Sequence, residues 1–148
     1  MNFNIPDTLM TYQDIKRALQ GMRDLDVTGS KEEVYAQLPF EAQALVDANK
    51  KAWEDNDLSG FRKQVEDCIN QTPVFDVILP TYPHDSFLKE IAGWFRREVH
   101  ANSLIDISVR RGIGGGMVLR SKNRLFDMSL RPKIVESKDK IPEVLRRV

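Results

Sequence analysis

Apolar residues recur at alternating steps of three and four through residues 1–71, and this spacing predicts short amphipathic helices. Thr11 is the expected N-cap of the first helix, whose apolar stripe weakens at Gly21. Ser30 and Glu33 have the spacing of a capping box and predict the start of a second helix. The apolar positions of these two helices are Tyr12, Ile15, Leu19, Met22, Val34 and Leu38.

Pro39 separates the second helix from a third, because a proline ends one helix and is tolerated in the first turn of the next. The third predicted helix runs to the turn sequence NDLSG, and a fourth follows Ser59. Their apolar positions are Phe40, Ala44, Leu45, Ala48, Ala52 and Trp53 in the third helix, and Phe61, Val65, Cys68 and Ile69 in the fourth. Helices this short are marginal alone in water, so we expect them to bury their apolar faces against one another.

The pattern changes after Thr72 from helical spacing to short runs of branched and aromatic residues. Residues 74–78 lie between two prolines and predict a strand. An amphipathic helix is predicted from Asp85 or Ser86 to Asn102, followed by strands at SLIDISV and GMVL. The segment RLFDMSL either continues that third strand or forms a fourth strand after a turn at SKN. The C-terminal half therefore has the order β-α-β-β.

Together these elements predict an α+β fold of two domains. Residues 1–71 would form a short, reduced helical bundle, and residues 72–148 a small β-α-β-β sheet domain. The chain has 148 residues and 41% hydrophobic composition, enough for one ordinary domain or two small ones that share an interface.

Charge and cysteine content narrow the classes of function. The 22 basic residues balance the 22 acidic ones, so the chain has no global field that would attract nucleic acid or an anionic membrane. Cys68 is the only cysteine, which excludes an internal disulfide and fits a reducing compartment. The N-terminal residues lack a targeting pattern, so we expect the mature chain to begin here. No apolar run approaches the roughly 20 residues of a membrane-spanning helix, so any work at a membrane would depend on partners.

Isolated reactive residues do not combine into a predicted active site. His84 and His100 lie at opposite ends of one predicted helix, which is too far apart for a shared ligand. Cys68 lies on an apolar helical stripe and is interpreted as a small buried hydrophobe. Asp106 and Asp127 are expected to point outward from alternating strands. We therefore predict no catalytic residue, no metal site and no cofactor.

The most distinctive stretch is RRGIGGGMVLRSKNRLFDMSLRPK, which starts at Arg110. A phosphate loop needs Lys and Ser or Thr after its last glycine and must open a helix, but Gly116 is followed by an apolar strand. A dinucleotide fingerprint also has to open a helix. Glycine allows positive φ and the close approach of another backbone, so this run predicts a sharp connection or bulge packed near another element.

The C-terminal half resembles the C-terminal domain of the ATP synthase delta subunit, the family of the oligomycin sensitivity-conferring protein. The matching pieces occur in the family's order over residues 74–134: VILPTYPHDS, FLKEIAGWFRREV, SLIDISV, the apolar residue and glycine pair at Ile113, Gly115 and Gly116, MVLR, and FDMSLR with Asp127 and Ser129. The family's N-terminal helical bundle is larger than the segment that precedes the sheet here.

The resemblance implies a non-catalytic peripheral-stalk (stator) subunit of an F-type proton-translocating ATP synthase, which takes part in hydrogen ion transport only through its complex. In that family the N-terminal helices bind the N-terminal helices of the alpha subunits, and the C-terminal domain binds the b-type stalk helices. The implied location is cytoplasmic, peripheral on the inner face of a bacterial plasma membrane. Ile113, Gly115 and Gly116 are then structural and docking residues, and Asp127 and Ser129 would cap the turn out of the last strand.

Two other functions remain open at this point. One is the E-type stalk subunit of a V/A-type ATPase, which also has a glycine pair before an apolar strand, although the glycines and Pro39 interrupt the long N-terminal helix of that family. The other is a small RNA- or DNA-binding module with a basic face. Its basic residues would be Arg110, Arg111, Arg120, Lys122, Arg124, Arg131 and Lys133.

Overall fold

The computed structural model describes residues 3–122 and 124–129, and helices precede strands along that part of the chain. This order confirms the predicted α+β fold with N-terminal helices. The elements are α1 Tyr12–Asp24, α2 Lys31–Gln37, α3 Phe40–Ala48, α4 Lys50–Glu54, α5 Leu58–Gln71, β1 Val74–Leu79, α6 Asp85–Glu98, β2 Leu104–Val109, β3 Gly116–Ser121 and β4 Arg124–Ser129.

The chain forms two compact units that are discontinuous in sequence. The N-terminal unit consists of Met1–Val74 and Asp85–Asp106, and the C-terminal unit of Phe75–His84 and Ile107–Val148. Helix α6 thus groups with the N-terminal helices, although it lies within the predicted C-terminal domain. The predicted boundary between residues 71 and 72 stays a prediction of domain organisation.

Local capping interactions start the first helices of the N-terminal unit where the sequence predicts them. The Thr11 side chain accepts a hydrogen bond from the Asp14 N–H, and the Asp14 carboxylate accepts one from the Thr11 N–H. Ser30 and Glu33 form the same reciprocal box at α2. Such boxes satisfy donors that a helix N-terminus otherwise leaves unpaired.

The third predicted helix is broken, contrary to the continuous pattern from Phe40 to Trp53. It divides into α3 and α4 at Asn49, whose φ of −134° and ψ of 46° are not helical. The Asn49 amide donates to the carbonyls of Leu45 and Asn4, at 2.8 Å each. A side chain that bonds a distant segment of backbone therefore lies at the break, and α3 ends at Ala48, one residue before it.

A single apolar core holds these helices together. Phe61 is fully buried, and its ring lies 5.4 Å from that of Trp53 in an edge-to-face arrangement and 5.7 Å from that of Phe3. Phe40, by contrast, is 68% exposed, so it does not share the buried face that the spacing predicted for it. The other large core members include Leu9, Ile15, Met22, Leu45, Val65 and Leu104.

Residues 3–11, which we call the strap, form an N-terminal segment that precedes α1. The side chains of Asn49 and Asn102 form hydrogen bonds with its backbone N–H and carbonyl groups, as the backbone of a neighbouring strand would. Asn49 accepts from the Asn4 N–H at 2.7 Å and donates to the Asn4 carbonyl. Asn102 accepts from the Ile5 N–H at 3.1 Å and donates to the Phe3 carbonyl at 2.8 Å. The strap ends in a parallel bridge between Thr11 and Ile105, so it joins the helices to β2 within the N-terminal unit.

Arg96 of α6 holds the second half of the strap. Its guanidinium donates to the carbonyls of Pro6 (3.2 Å), Leu9 (2.7 Å) and Ser103 (3.3 Å), and to the Asp7 carboxylate at 2.9 Å. The Arg96 side chain is only 8% exposed, so most of these bonds are shielded from water. The planar fork of arginine suits this use, because one side chain reaches several acceptors at once.

The sheet has the strand order β2-β1-β3-β4, and β3 is antiparallel to both of its neighbours. Strand β2 accompanies β1 in the same direction: Leu104 donates to the Pro73 carbonyl and Arg110 to the Leu79 carbonyl, with an equal offset along the chain. The sheet is therefore mixed, as expected for strands joined by a helical crossover. RLFDMS forms a separate fourth strand, β4, which decides between the two alternatives left by the sequence.

Replacement of Arg96 by Met should destabilise the protein, because the partly buried carbonyls of Leu9 and Ser103 lose a donor and the Pro6 carbonyl keeps only the Leu9 N–H. We expect the free energy of unfolding to fall by about 1–3 kcal/mol in urea denaturation. Arg97→Met is the matched control, since Arg97 is exposed in the same helix. Its replacement should change the free energy of unfolding by less than about 0.5 kcal/mol. Equal stability of the two variants would contradict this role for Arg96.

Candidate functional site

The glycine loop, residues 111–116, leads into β3, and its glycines have backbone conformations that other residues rarely adopt. A short 3-10 turn, Arg111–Ile113, ends at Gly114, whose φ is 71°. Gly115 and Gly116 follow with φ values of 145° and 72°. Three successive positive φ values strongly favour glycine, because a Cβ would collide with the local backbone. The run is therefore required by the path of the chain.

The last of these glycines also lies against another strand. Gly116 pairs with Ser129 at the start of the β3 and β4 ladder. A Cβ on Gly116 would lie 2.2 Å from the Met128 carbonyl oxygen and 3.0 Å from the Ser129 Cα. The close backbone approach predicted from the sequence is confirmed at this residue. Since Gly116 begins a strand, its N–H is not part of a helix terminus of the kind that holds phosphate.

The other predicted site residues surround this contact within the C-terminal unit. Ile113 is buried at 7% exposure and closes the 3-10 turn. The Asp127 carboxylate accepts a hydrogen bond from the Ser129 N–H at 2.9 Å, within β4. The predicted capping of the turn after this strand by Asp127 and Ser129 stays a prediction. The Ser129 hydroxyl is buried and has no hydrogen-bond partner among the described residues.

Three large apolar side chains of β4 are exposed: Leu125 at 65% on one face of the sheet, and Phe126 at 47% and Met128 at 51% on the other. We call Phe126 and Met128 the β4 patch. Phe126 lies opposite Leu119 and Met128 opposite Met117, so these four share one face of the sheet. Exposed apolar clusters of this kind mark interaction sites. No interaction surface was predicted here, although the adjacent apolar residues Leu125 and Phe126 indicate one. Neighbouring side chains of a strand face opposite sides of the sheet, so a core on one side cannot cover both.

Cys68 is half-buried and not enclosed, which corrects its predicted place in the core. It packs against the core cluster, with its Sγ 3.9 Å from the Thr72 hydroxyl and 4.0 Å from the Asn102 amide. Burial raises the pKa of the Cys68 thiol, and the Thr72 hydrogen bond offsets part of that rise. The thiol form therefore persists to higher pH than in a free cysteine, which supports its interpretation as an unreactive packing residue.

The remaining polar candidates lie at the surface. His84 and His100 are exposed, and the ring of His100 accepts from the Asn102 N–H at 3.2 Å. Arg120 lies near Asp76, 4.0 Å from Nε to Oδ2, which partly neutralises it. Arg131 and Lys133 of the proposed basic face lie outside the described residues. The exposed basic residues within them are Arg110, Arg111, Arg120, Lys122 and Arg124.

Within residues 3–122 and 124–129, no three His, Cys, Asp or Glu side chains are grouped so that they could hold a metal ion. The helices in that part of the chain are all too short or too polar to cross a membrane. Comparison with known proteins gives no matching family model and no matching curated protein.

Gly116→Ala should destabilise the C-terminal unit, because the added methyl group strains a positive φ and collides with the Met128 carbonyl. We expect a loss of about 1–3 kcal/mol, measured by urea denaturation and by amide exchange of β3 and β4. Gly112→Ala is the matched control, since no described atom lies within 4 Å of an added Cβ there. If both alanines have the same effect, the close approach at Gly116 is not the reason for the glycine.

Cys68 should react more slowly with iodoacetamide than a free cysteine does at neutral pH. The raised pKa keeps the sulfur protonated, and the thiolate is the nucleophile. Because the shift is upward, the rate should continue to rise at pH values where a free thiol is already fully ionised. A rate at neutral pH equal to that of glutathione would contradict the interpretation. Urea-unfolded chain, in which the same thiol is solvated, supplies the control.

Proposed function

We propose that this protein is a non-catalytic peripheral-stalk subunit of an F-type ATP synthase, joining the catalytic head to the stalk. The observation that carries the proposal is the geometry of the glycine loop. The delta-subunit resemblance gives the loop an architectural role, and Gly116 opens a strand against the Met128 carbonyl where a ligand cradle would open a helix. This arrangement supports a structural role in preference to nucleotide binding.

The C-terminal unit offers a surface for the stalk. Gly116 and Ser129 join β3 to β4 at one end, and the β4 patch extends from there along the strand. Its Phe126 and Met128 share one face with Met117 and Leu119, whose side chains are half-buried. An apolar stripe on a stalk helix could bury these side chains, as amphipathic helices do in other grooves. We assign the b-type stalk helix to the β4 patch.

The N-terminal unit would bind the head. Its short helices bury their apolar stripes in one core, so they form a rigid support for a partner helix. A subunit that resists torque needs such rigid contacts at both ends, and its location at the membrane would follow from the stalk. We propose a cytoplasmic site on the inner face of a bacterial membrane for the whole complex.

The test uses the intact chain, because both compact units combine distant parts of the sequence. Its binding to the C-terminal segment of a b-type stalk subunit is measured by calorimetry. Phe126→Ser combined with Met128→Ser should weaken that binding by about tenfold or more, because two apolar contacts are lost. The matched control is Val27→Ser with Val99→Ser, which removes exposed apolar groups of the other unit.

Two results would contradict the proposal. One is a failure of the intact chain to bind either the stalk segment or an alpha-type N-terminal peptide. The other is tight binding of RNA or DNA with a steep dependence on salt, which would favour the basic face of a nucleic-acid-binding module. Equal loss of stalk binding in the control variant would remove the β4 patch from the proposal.

A further inference from the structure

Helix α6 has two apolar stripes side by side, and one of them is exposed. The buried stripe consists of Leu88, Ala92 and Phe95. The other, which we call the α6 stripe, consists of Phe87, Ile91 and Trp94 and repeats the same steps of four and three one residue earlier. Phe87 is 38% exposed, Trp94 is 49% exposed and Ile91 is half-buried. This is the spacing at which two helices pack along each other.

Trp94, the most exposed member of the α6 stripe, is held against its neighbour in the chain. Its ring meets that of Phe95 edge to face, with 5.1 Å between the centroids and 78° between the planes. Phe95 is only 3% exposed, so this contact anchors the tryptophan to the buried side of α6. A side chain held in this way loses little conformational freedom on binding, and tryptophan is enriched among the residues that dominate interfaces. The α6 stripe is therefore suited to binding another protein surface.

The charges beside the α6 stripe are complementary to themselves when the helix is turned end for end. Glu90 and Arg97 are exposed and lie along the same side of the stripe, seven residues apart. Seven residues span about 10 Å of helix, which is too far for the two to pair within one copy. Within the described part of the chain, neither belongs to an ion pair. A second, antiparallel α6 would bring Glu90 of each copy beside Arg97 of the other, because residues on the same flank meet in such a pair.

The same features disfavour other occupants of the α6 stripe. Glu90 and Glu98 are exposed beside it, and an anionic membrane surface would repel their carboxylates. An extended peptide gains affinity from backbone hydrogen bonds, which a helix cannot supply because its own backbone groups are already paired. The fitting occupant is a helix with an apolar stripe and a charge pattern that reverses the one beside the α6 stripe. A second copy of α6 has both properties.

We infer that two copies of this chain associate through the α6 stripe, with their α6 helices antiparallel about a two-fold axis. Ile91 of each copy then packs against Trp94 of the other. Glu98 takes the next position of the stripe, so the apolar contact is only two turns long. Such a contact is smaller than the roughly 800 Å² per partner of a standard interface, and we expect a weak dimer with a Kd on the order of 100 µM. The inference goes beyond the proposed stalk function and does not depend on it.

Sedimentation equilibrium of the intact chain, at concentrations from about 10 µM to 1 mM, tests the inference. Glu90→Arg and Arg97→Glu should each weaken self-association by about tenfold, because two attractive contacts become repulsive in each variant. An equimolar mixture of these two variants should associate as the wild type does, since every contact between the two kinds of chain again joins opposite charges. The control is Lys89→Glu, which changes an exposed lysine on the other side of α6 and should leave association unchanged.

Removal of the apolar contact provides a second test. Phe87→Ser with Trp94→Ser should abolish detectable association, whereas Phe40→Ser, which removes a more exposed aromatic side chain of α3, should not. A wild-type chain that remains monomeric at the highest concentration would overturn the inference, and its binding to phosphatidylglycerol vesicles would then assign the α6 stripe to a membrane surface. Association that the charge variants do not weaken, or that their mixture does not restore, would overturn the antiparallel arrangement.

Discussion

The N-terminal unit depends on the hydrogen bonds that hold the strap. Asn49, Arg96 and Asn102 come from three separate places in the chain, and all bond the backbone of residues 3–9. Each backbone N–H or carbonyl group of the strap that these side chains bond would otherwise lack a hydrogen bond once it is removed from water. Such an unpaired polar group lowers the stability of the folded state. The same bonds bring α6 to the N-terminal helices and interrupt the helix at Asn49. The grouping of α6 with the N-terminal helices and the break between α3 and α4 therefore share one cause.

The C-terminal unit depends instead on a backbone contact. Three positive φ values bring Gly116 against the Met128 carbonyl, and the β3 and β4 register follows from that first pair. The register determines which side chains share a face, because a shift by one residue would exchange the two faces of β4. The exposure of Phe126 and Met128 on one face is thus connected to the glycine loop.

Sequence reasoning succeeded where the interaction is local. The capping boxes at Thr11 and Ser30 span three residues, and the strand at Val74 follows from the preference of branched side chains for extended backbone. It failed where the cause lies far away in the chain. The break at Asn49 requires Asn4, and the position of α6 requires strap carbonyls that bond Arg96. The strap itself has no helical or alternating pattern, so periodicity could not identify it.

In the proposed assembly the two units would contribute in different ways. Apolar burial at the β4 patch is non-directional, so it would add affinity but leave a stalk helix free to choose among rotations. Helices α1–α5 of the N-terminal unit keep most of their apolar side chains in its core, so a partner helix bound to them would have to be oriented by the polar and charged side chains of their surface.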